Sequence, residues 1–179
     1  MNKYEFSIIA SGLDPTSEDF EQRFYDAGCD DATISFQKGH IIVDFAREAE
    51  SISSAIASAV QNVETAGATV DRVEPDPLVS LADIAARTGM TRAAMTQYSK
   101  GQRSKDFPVP IARVTSDSPL WEWATVAKWL FRHEKLSKEA AIEAEAVRIA
   151  NAAIQSHDHK LEEAIQGSLK DYEKKLEAA

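Results

Sequence analysis

Cysteine is nearly absent from this chain: Cys29 stands alone among 179 residues. One chain can therefore build neither a disulfide framework nor a thiolate metal cluster, and a buried reduced thiol is the plain reading. Long apolar runs are missing as well. Nothing approaches the roughly 18 to 20 residues of a membrane span, and the opening MNKYEFSIIASGLDP has neither the apolar core nor the cleavage site of a secretory leader. A cytoplasmic protein with no membrane partner is expected. The middle third has no Gly-rich phosphate loop, no zinc-ligand spacing and no nucleophile arrangement. Neither catalysis, a cofactor nor a metal is expected.

Charge is present, and it is unevenly placed. The net charge is -9, but residues 1–77 hold 5 basic against 15 acidic side chains, residues 78–135 hold 9 against 5, and residues 136–179 hold 6 against 9. Only the middle third is basic, and its stretch GMTRAAMTQYSKGQRSKDFPVP, residues 89–110, carries Arg92, Lys100, Arg103 and Lys105. A binding surface is local, so opposite charges elsewhere can hide it in the total.

The first 77 residues alternate strand and helix signals. Tyr4, Phe6 and Ile8 fall at period two, as a strand with one buried face requires. A helix follows, capped by Thr16 or Ser17, with Phe20, Phe24 and Ala27 on one face and Gly28 at its exit. ATISF and IIVDF flank QKGH as a hairpin turning at Gly39. Ile52, Ile56, Ala59, Val60 and Val63 make a second helical stripe that ends near Gly67, and TVDRV is a last strand. The order βαββαβ is similar to the ferredoxin-like sandwich, whose bare sheet face or edge commonly needs a partner. Cys29, Asp30, Asp31 and Asp44 are the residues from which a metal or acid site could be imagined here; solvated loop carboxylates are the plainer reading. EPDPLVS then marks a connector near residue 77.

LADIAARTGMTRAAMTQY, residues 81–98, has the layout of a helix-turn-helix: one helix, a tight turn at Gly89, and a second helix opening at Thr91. Ile84, Met90, Met95 and Tyr98 sit where the helices bury side chains, and Ala85 is small where they cross. Arg92, Ala93, Thr96, Gln97 and Lys100 are left on the outer face, a set able to read base edges. The alternative is an ordinary helical hairpin with a solvated polar face. FPVP, a strand at IARV, a polar tip TSDS, a strand at LW and a helix bearing Val126, Trp129 and Leu130 follow. Trp121 and Trp129 are expected in the core, with Trp123 partly exposed.

This ordered set, LADIAARTGMTRAAM then FPVP then LW then VAKWL, resembles the winged helix-turn-helix of the MerR superfamily, in its AlpA-like and excisionase-like branch of small bacterial and phage DNA-binding proteins. The resemblance covers residues 79–133 and implies a second helix in the major groove with a wing on the backbone or adjacent minor groove. Carried over by position, Thr91, Arg92, Ala93, Thr96 and Gln97 would face bases, and Lys100, Arg103, Ser104, Lys105 and Arg113 would meet phosphates. Two departures stand out. SKGQRSKDFP is longer than the family's short turn, and the wing tip carries Asp117 where a basic residue would favour the minor groove.

From Ser137 onward there is no proline and a single glycine, Gly167, which predicts one long helix. Ile154, Leu161, Ile165, Leu169, Tyr172 and Leu176 form its apolar stripe, which Asp158 and Ser168 interrupt, so a helical hairpin or mixed bundle is favoured over a long coiled coil. His157 and His159 fall on different helix faces, which argues against chelation by that pair.

The fold class expected is therefore α+β: a ferredoxin-like domain over 1–77, a winged helix-turn-helix over 78–135 and a helical extension over 136–179. The function expected is a sequence-specific double-stranded DNA-binding regulator, repressing by occupying an operator as a homodimer. The interface would come from the terminal helix or the sandwich, and the acidic domain could take a protein partner or a small-molecule effector. The alternative is an antitoxin-like or phage-defence control protein that binds a partner and autoregulates through DNA. A third possibility is a DNA-bending recombination directionality factor.

Overall fold

The computed structural model describes residues 1–157 and 160–178. Among them are seven helices and a small antiparallel sheet, an α+β chain, in two compact units. No helix among the described residues is long and apolar enough to cross a membrane.

The first unit comprises Met1–Pro75 and Ala146–Lys170. Its strands β1 (Asn2–Ser11), β2 (Ala32–Gln37), β3 (His40–Ala49) and β4 (Thr69–Glu74) pair antiparallel in the order β2-β3-β1-β4. Helices α1 (Phe20–Asp26) and α2 (Ile52–Thr65) follow β1 and β3. The period-two residues do what burial of one face demands: Phe6 opposes Phe45, Ile8 opposes Val43 and Ala10 opposes Ile41, all buried, with the two phenyl rings stacked at 5.6 Å. β2 and β3 are joined by Lys38 and Gly39, both at positive φ (51° and 83°), the geometry that matches the twist of a two-residue hairpin.

α2 opens with a capping box in which Ser51 and Ser54 satisfy each other's backbone N–H groups. α1 begins later than its expected cap. Neither Thr16 nor Ser17 caps it; Thr16 donates to Asp14 at 2.7 Å, Ser17 donates to Asp19, and Asp19 occupies the cap position without a capping bond. The local Asx-type turn at Asp14 competes for the hydroxyl that would have capped the helix.

Arg47 is the buried charge of this unit. It donates to both Asp31 carboxylate oxygens (2.8 and 2.9 Å), to Ser58, to Asn62 and to the Gly28 carbonyl, and lies over the Phe45 ring. The pairing holds the Asp31 carboxyl below its usual range. Cys29 is buried beside it, and burial pushes the thiol up to about 11. Asp44 accepts from the Ser7 hydroxyl. Two of the carboxylates considered for a metal or acid site are thus engaged by neighbouring side chains.

The second unit comprises residues 76–145 and the end of the chain from Asp171. Strand β5 (Leu78–Val79) leads into α3 (Leu81–Thr88) and α4 (Arg92–Ser99), and β6 (Trp121–Glu122) leads into α5 (Trp123–Arg132). β5 pairs antiparallel with β6, and Trp123 N–H donates to the Pro77 carbonyl at 2.8 Å. The core gathers Val79, Ile84, Met95, Tyr98, Val126 and Leu130 with all three tryptophans. Trp123, expected to be partly exposed, is 7% exposed. It opens α5 and carries the Arg87 guanidinium over its ring at 5.1 Å, a pairing from across the unit that local pattern does not reveal.

Two further expectations are corrected. Residues 111–114 form no strand: IARV contributes one bridge, Ala112 to Leu120, because Arg113 at φ 51° turns the chain and Trp121 pairs with β5 instead. The single terminal helix is two, α6 (Lys138–Gln155) and α7 (Leu161–Glu177). α6 ends where His157 turns to φ 57°, a break with no proline or glycine to announce it. Lys138 meets Glu177 at 2.8 Å, so the start of α6 lies beside the end of α7. Ile165, Leu169, Tyr172 and Leu176 are buried as the stripe requires. Asp158 and His159 lie outside the described residues, and with them the expectation about the histidine pair.

Candidate nucleic-acid interface

The candidate surface is built on α3 and α4. α3 starts with a reciprocal cap: Asp83 N–H donates to the Ser80 hydroxyl, and the Asp83 carboxylate accepts from the Ser80 N–H at 2.8 Å. The Ser80 N–H first, and then the Ser80 hydroxyl, which also donates to the carboxylate at 2.8 Å, lower the Asp83 carboxyl from its usual range. The helix stops at Gly89, whose φ of 69° ends the turn in the left-handed region that glycine enters without strain. Thr91 then caps α4, accepting from Ala94 N–H at 3.1 Å.

α4 is only eight residues, and its burial divides it cleanly. Ala94, Met95 and Tyr98 are buried against the core, whereas Arg92 and Ala93 are exposed and Thr96 and Gln97 half-buried on the remaining face. Thr91, at the cap, has its hydroxyl engaged as an acceptor and its side chain exposed at the same end. Of the sequence-predicted base-facing set, Arg92, Ala93, Thr96 and Gln97 therefore share one face of a single helix, with Thr91 at its cap.

The long segment after α4 is held rather than loose. Gln102 N–H donates to the Gln97 carbonyl at 2.9 Å, and Gly101 takes a φ of 69°. Phe107 then inserts among the aromatics, stacked with Tyr98 and edge-on to Trp121 and Trp129 at 6.3 and 5.0 Å. Trp121 Nε1 donates to the Pro108 carbonyl at 2.8 Å, which fixes FPVP to the core. Ser104 is tied inward by donating to Asp106, whose carboxyl is lowered first by that bond. Asp106 also lies 3.5 Å from His133, a ring stacked on Trp129. Lys105 is exposed on the loop, and Arg113 is exposed at the turn beyond it.

Arg103, expected to meet phosphate, has partners within the chain. Its Nε donates to the Gln97 side-chain oxygen at 2.5 Å and its guanidinium lies 5.7 Å from the Tyr98 ring centre. A second cation, Lys135, lies 5.9 Å from the same ring. Sequence reasoning missed Lys135 because it follows α5, 37 residues beyond Tyr98 in the chain, and no local pattern links the two. The segment after this loop adds exposed apolar side chains, Val109, Ile111 and Val114. Arg103 and Lys135 thus lie against α4 side chains, while Arg92, Lys100, Lys105 and Arg113 are exposed in the same unit.

In the first unit a groove of about 790 Å³ runs beside α2 and β4 and is lined among others by Gln61, Glu64, Glu162 and Gln166. Among the described residues no group of three or more His, Cys, Asp or Glu could hold a metal ion. Compared with models of protein families, with curated proteins and with solved structures, the chain matches none.

Proposed function

We propose that this chain is a sequence-specific double-stranded DNA-binding protein, a regulator that represses by occupying an operator. In this reading residues 79–133 act as a MerR-like winged helix-turn-helix and the βαββαβ unit as a ferredoxin-like sandwich. The observation that carries it is the two-sided α4: Ala94, Met95 and Tyr98 buried, with Arg92, Ala93, Thr96 and Gln97 turned outward beside a loop bearing Lys100, Arg103 and Lys105. An arginine, an amide and a hydroxyl at helical spacing suit base edges in the major groove. The neighbouring cations suit phosphates, which hold register without reading sequence.

Gln97 has a particular role in this scheme. An adenine takes a glutamine through both its amide nitrogen and its oxygen, and here Arg103 already engages that oxygen. Arg103 orients the Gln97 amide and then either shares the oxygen with the base or swings to the backbone. One small module contacts few base pairs, so two copies spaced by about one DNA turn, roughly 34 Å, complete the site.

Selection from random duplexes with the full chain is the test. A shared motif is expected, with Arg92→Ala and Gln97→Ala relaxing preference at particular positions and Lys105→Ala weakening all sequences alike. Recovery of no motif would sink the proposal.

A further inference from the structure

The sheet of the first unit has two edges, and the chain treats them differently. At the β4 edge the Asn151 carboxamide accepts from Val73 N–H at 2.7 Å and donates to the Val73 carbonyl at 2.9 Å. A buried side chain thus occupies the outward peptide groups of Val73. At the other edge, the Asp31 carbonyl accepts from Ala46 N–H of β3. By the alternation of an antiparallel ladder, Thr33, Ser35 and Gln37 also face β3, so Ile34 and Phe36 turn their N–H and C=O groups outward. The Ala32 carbonyl points the same way, while its N–H is held by Cys29. ATISFQ contains no charge, proline or bulge, the devices by which edges avoid pairing. Apart from Met1, Tyr25 and Phe36 are the large apolar side chains of this unit exposed among the described residues (64% and 45%), and Tyr25 lines a groove beside β2.

We infer that β2 pairs with β2 of a second copy of this chain, antiparallel about a two-fold axis, joining two four-stranded sheets into one. This deepens the dimer part of the proposed function. Such an axis stands perpendicular to the sheet, so both copies keep their helices on one side and residues of equal parity oppose each other. Centring on Ile34 aligns the whole strand. Ile34 exchanges hydrogen bonds with its own copy, and Phe36 N–H reaches the Ala32 carbonyl of the second copy.

Asp30 and Lys38 lie in the turns at opposite ends of β2, so the same register brings Asp30 of each copy toward Lys38 of the other, a charge match that symmetry supplies at both ends. Phe36 lies on the side of the sheet where Arg47 meets α2, since it opposes Ile41. There its ring stands over Ala32 of the second copy, at a groove of about 430 Å³ lined by Tyr25, Cys29, Ala32 and Ile34. Each copy thus supplies the ring that fills the other's groove.

Sedimentation velocity of the full chain without DNA tests this independently of any operator. A dimer is expected at micromolar concentration. Asp30→Lys and Lys38→Asp, both at exposed positions, should each raise the dissociation constant on the order of tenfold or more, and the double variant should restore it. Ile34→Cys, at the axis, should cross-link on mild oxidation, because opposed Cα atoms there are about 5.5 Å apart. Gln37→Cys, whose copies are held about 20 Å apart, should not. A wild-type monomer at 100 micromolar would leave the edge for a strand of another protein and overturn the inference. A dimer indifferent to both charge reversals, or no cross-link at Ile34→Cys, would place the second copy elsewhere.

Discussion

Gln97 and Arg103 lie six positions apart, yet their side chains share a hydrogen bond, so their contributions to DNA binding in the proposed function are not independent. A double-mutant cycle with Gln97→Ala and Arg103→Ala, read as DNA affinity, should depart from additivity by about 1 kcal/mol. Additive losses would mean that the pair separates completely on DNA. Asp31 gives a second residue-scale test. Arg47 lowers its carboxyl from 3.8, and an unfolded aspartate sits near that value. The pairing therefore stabilises the fold above about pH 4 and its contribution is lost as pH falls through the lowered folded value. Asp31→Asn should cost about 2 kcal/mol in urea unfolding at pH 7, less than a fully buried pair because Asp31 is partly exposed and Arg47 keeps Ser58, Asn62 and Gly28. The difference between variant and wild type should shrink toward pH 2. Neither coupling is readable from spacing, since Asp31 and Arg47 meet only when β2 and β3 pair.

At the scale of elements, the segment from Lys100 to Pro110 is ordered by one ring. Phe107 sits against Tyr98, Trp121 and Trp129, so Phe107→Ala should cost about 2 kcal/mol of stability, less than a fully buried aromatic because the ring is only half-buried. Because every cation remains, DNA affinity should fall several-fold with an unchanged salt slope, measured by titration at several ionic strengths. A changed slope would mean that the loop's charges had been lost from the interface rather than merely loosened. Helix and strand positions in the first unit were legible because period-two and period-3.6 patterns are local. The pairing of the second unit was less so: Trp121 finds its strand partner at Val79, 42 residues away, and IARV alone cannot reveal that. The break between α6 and α7 was hidden for a related reason, since His157 at positive φ is a choice that composition does not forecast.

For the whole molecule, the uneven charge sets how DNA would be approached. Fifteen acidic side chains before residue 78 discourage contact away from the basic stretch, and affinity should fall steeply with salt, by about 0.9 in log-log slope per phosphate contact. Lys105→Ala should reduce that slope by about 1; an unchanged slope would remove Lys105 from the interface. The sequence by itself determined the charge balance along the chain and the outward face of α4, because helix and strand periodicity and side-chain ionisation are properties of neighbouring residues. Only the tertiary structure decided that Arg103 engages Gln97, that Lys135 joins the basic surface, and that Asn151 closes one sheet edge while β2 stays open. Each of these depends on which distant backbone a side chain meets once the core has closed, and hydrogen bonds at 2.5 to 2.9 Å form only at that stage.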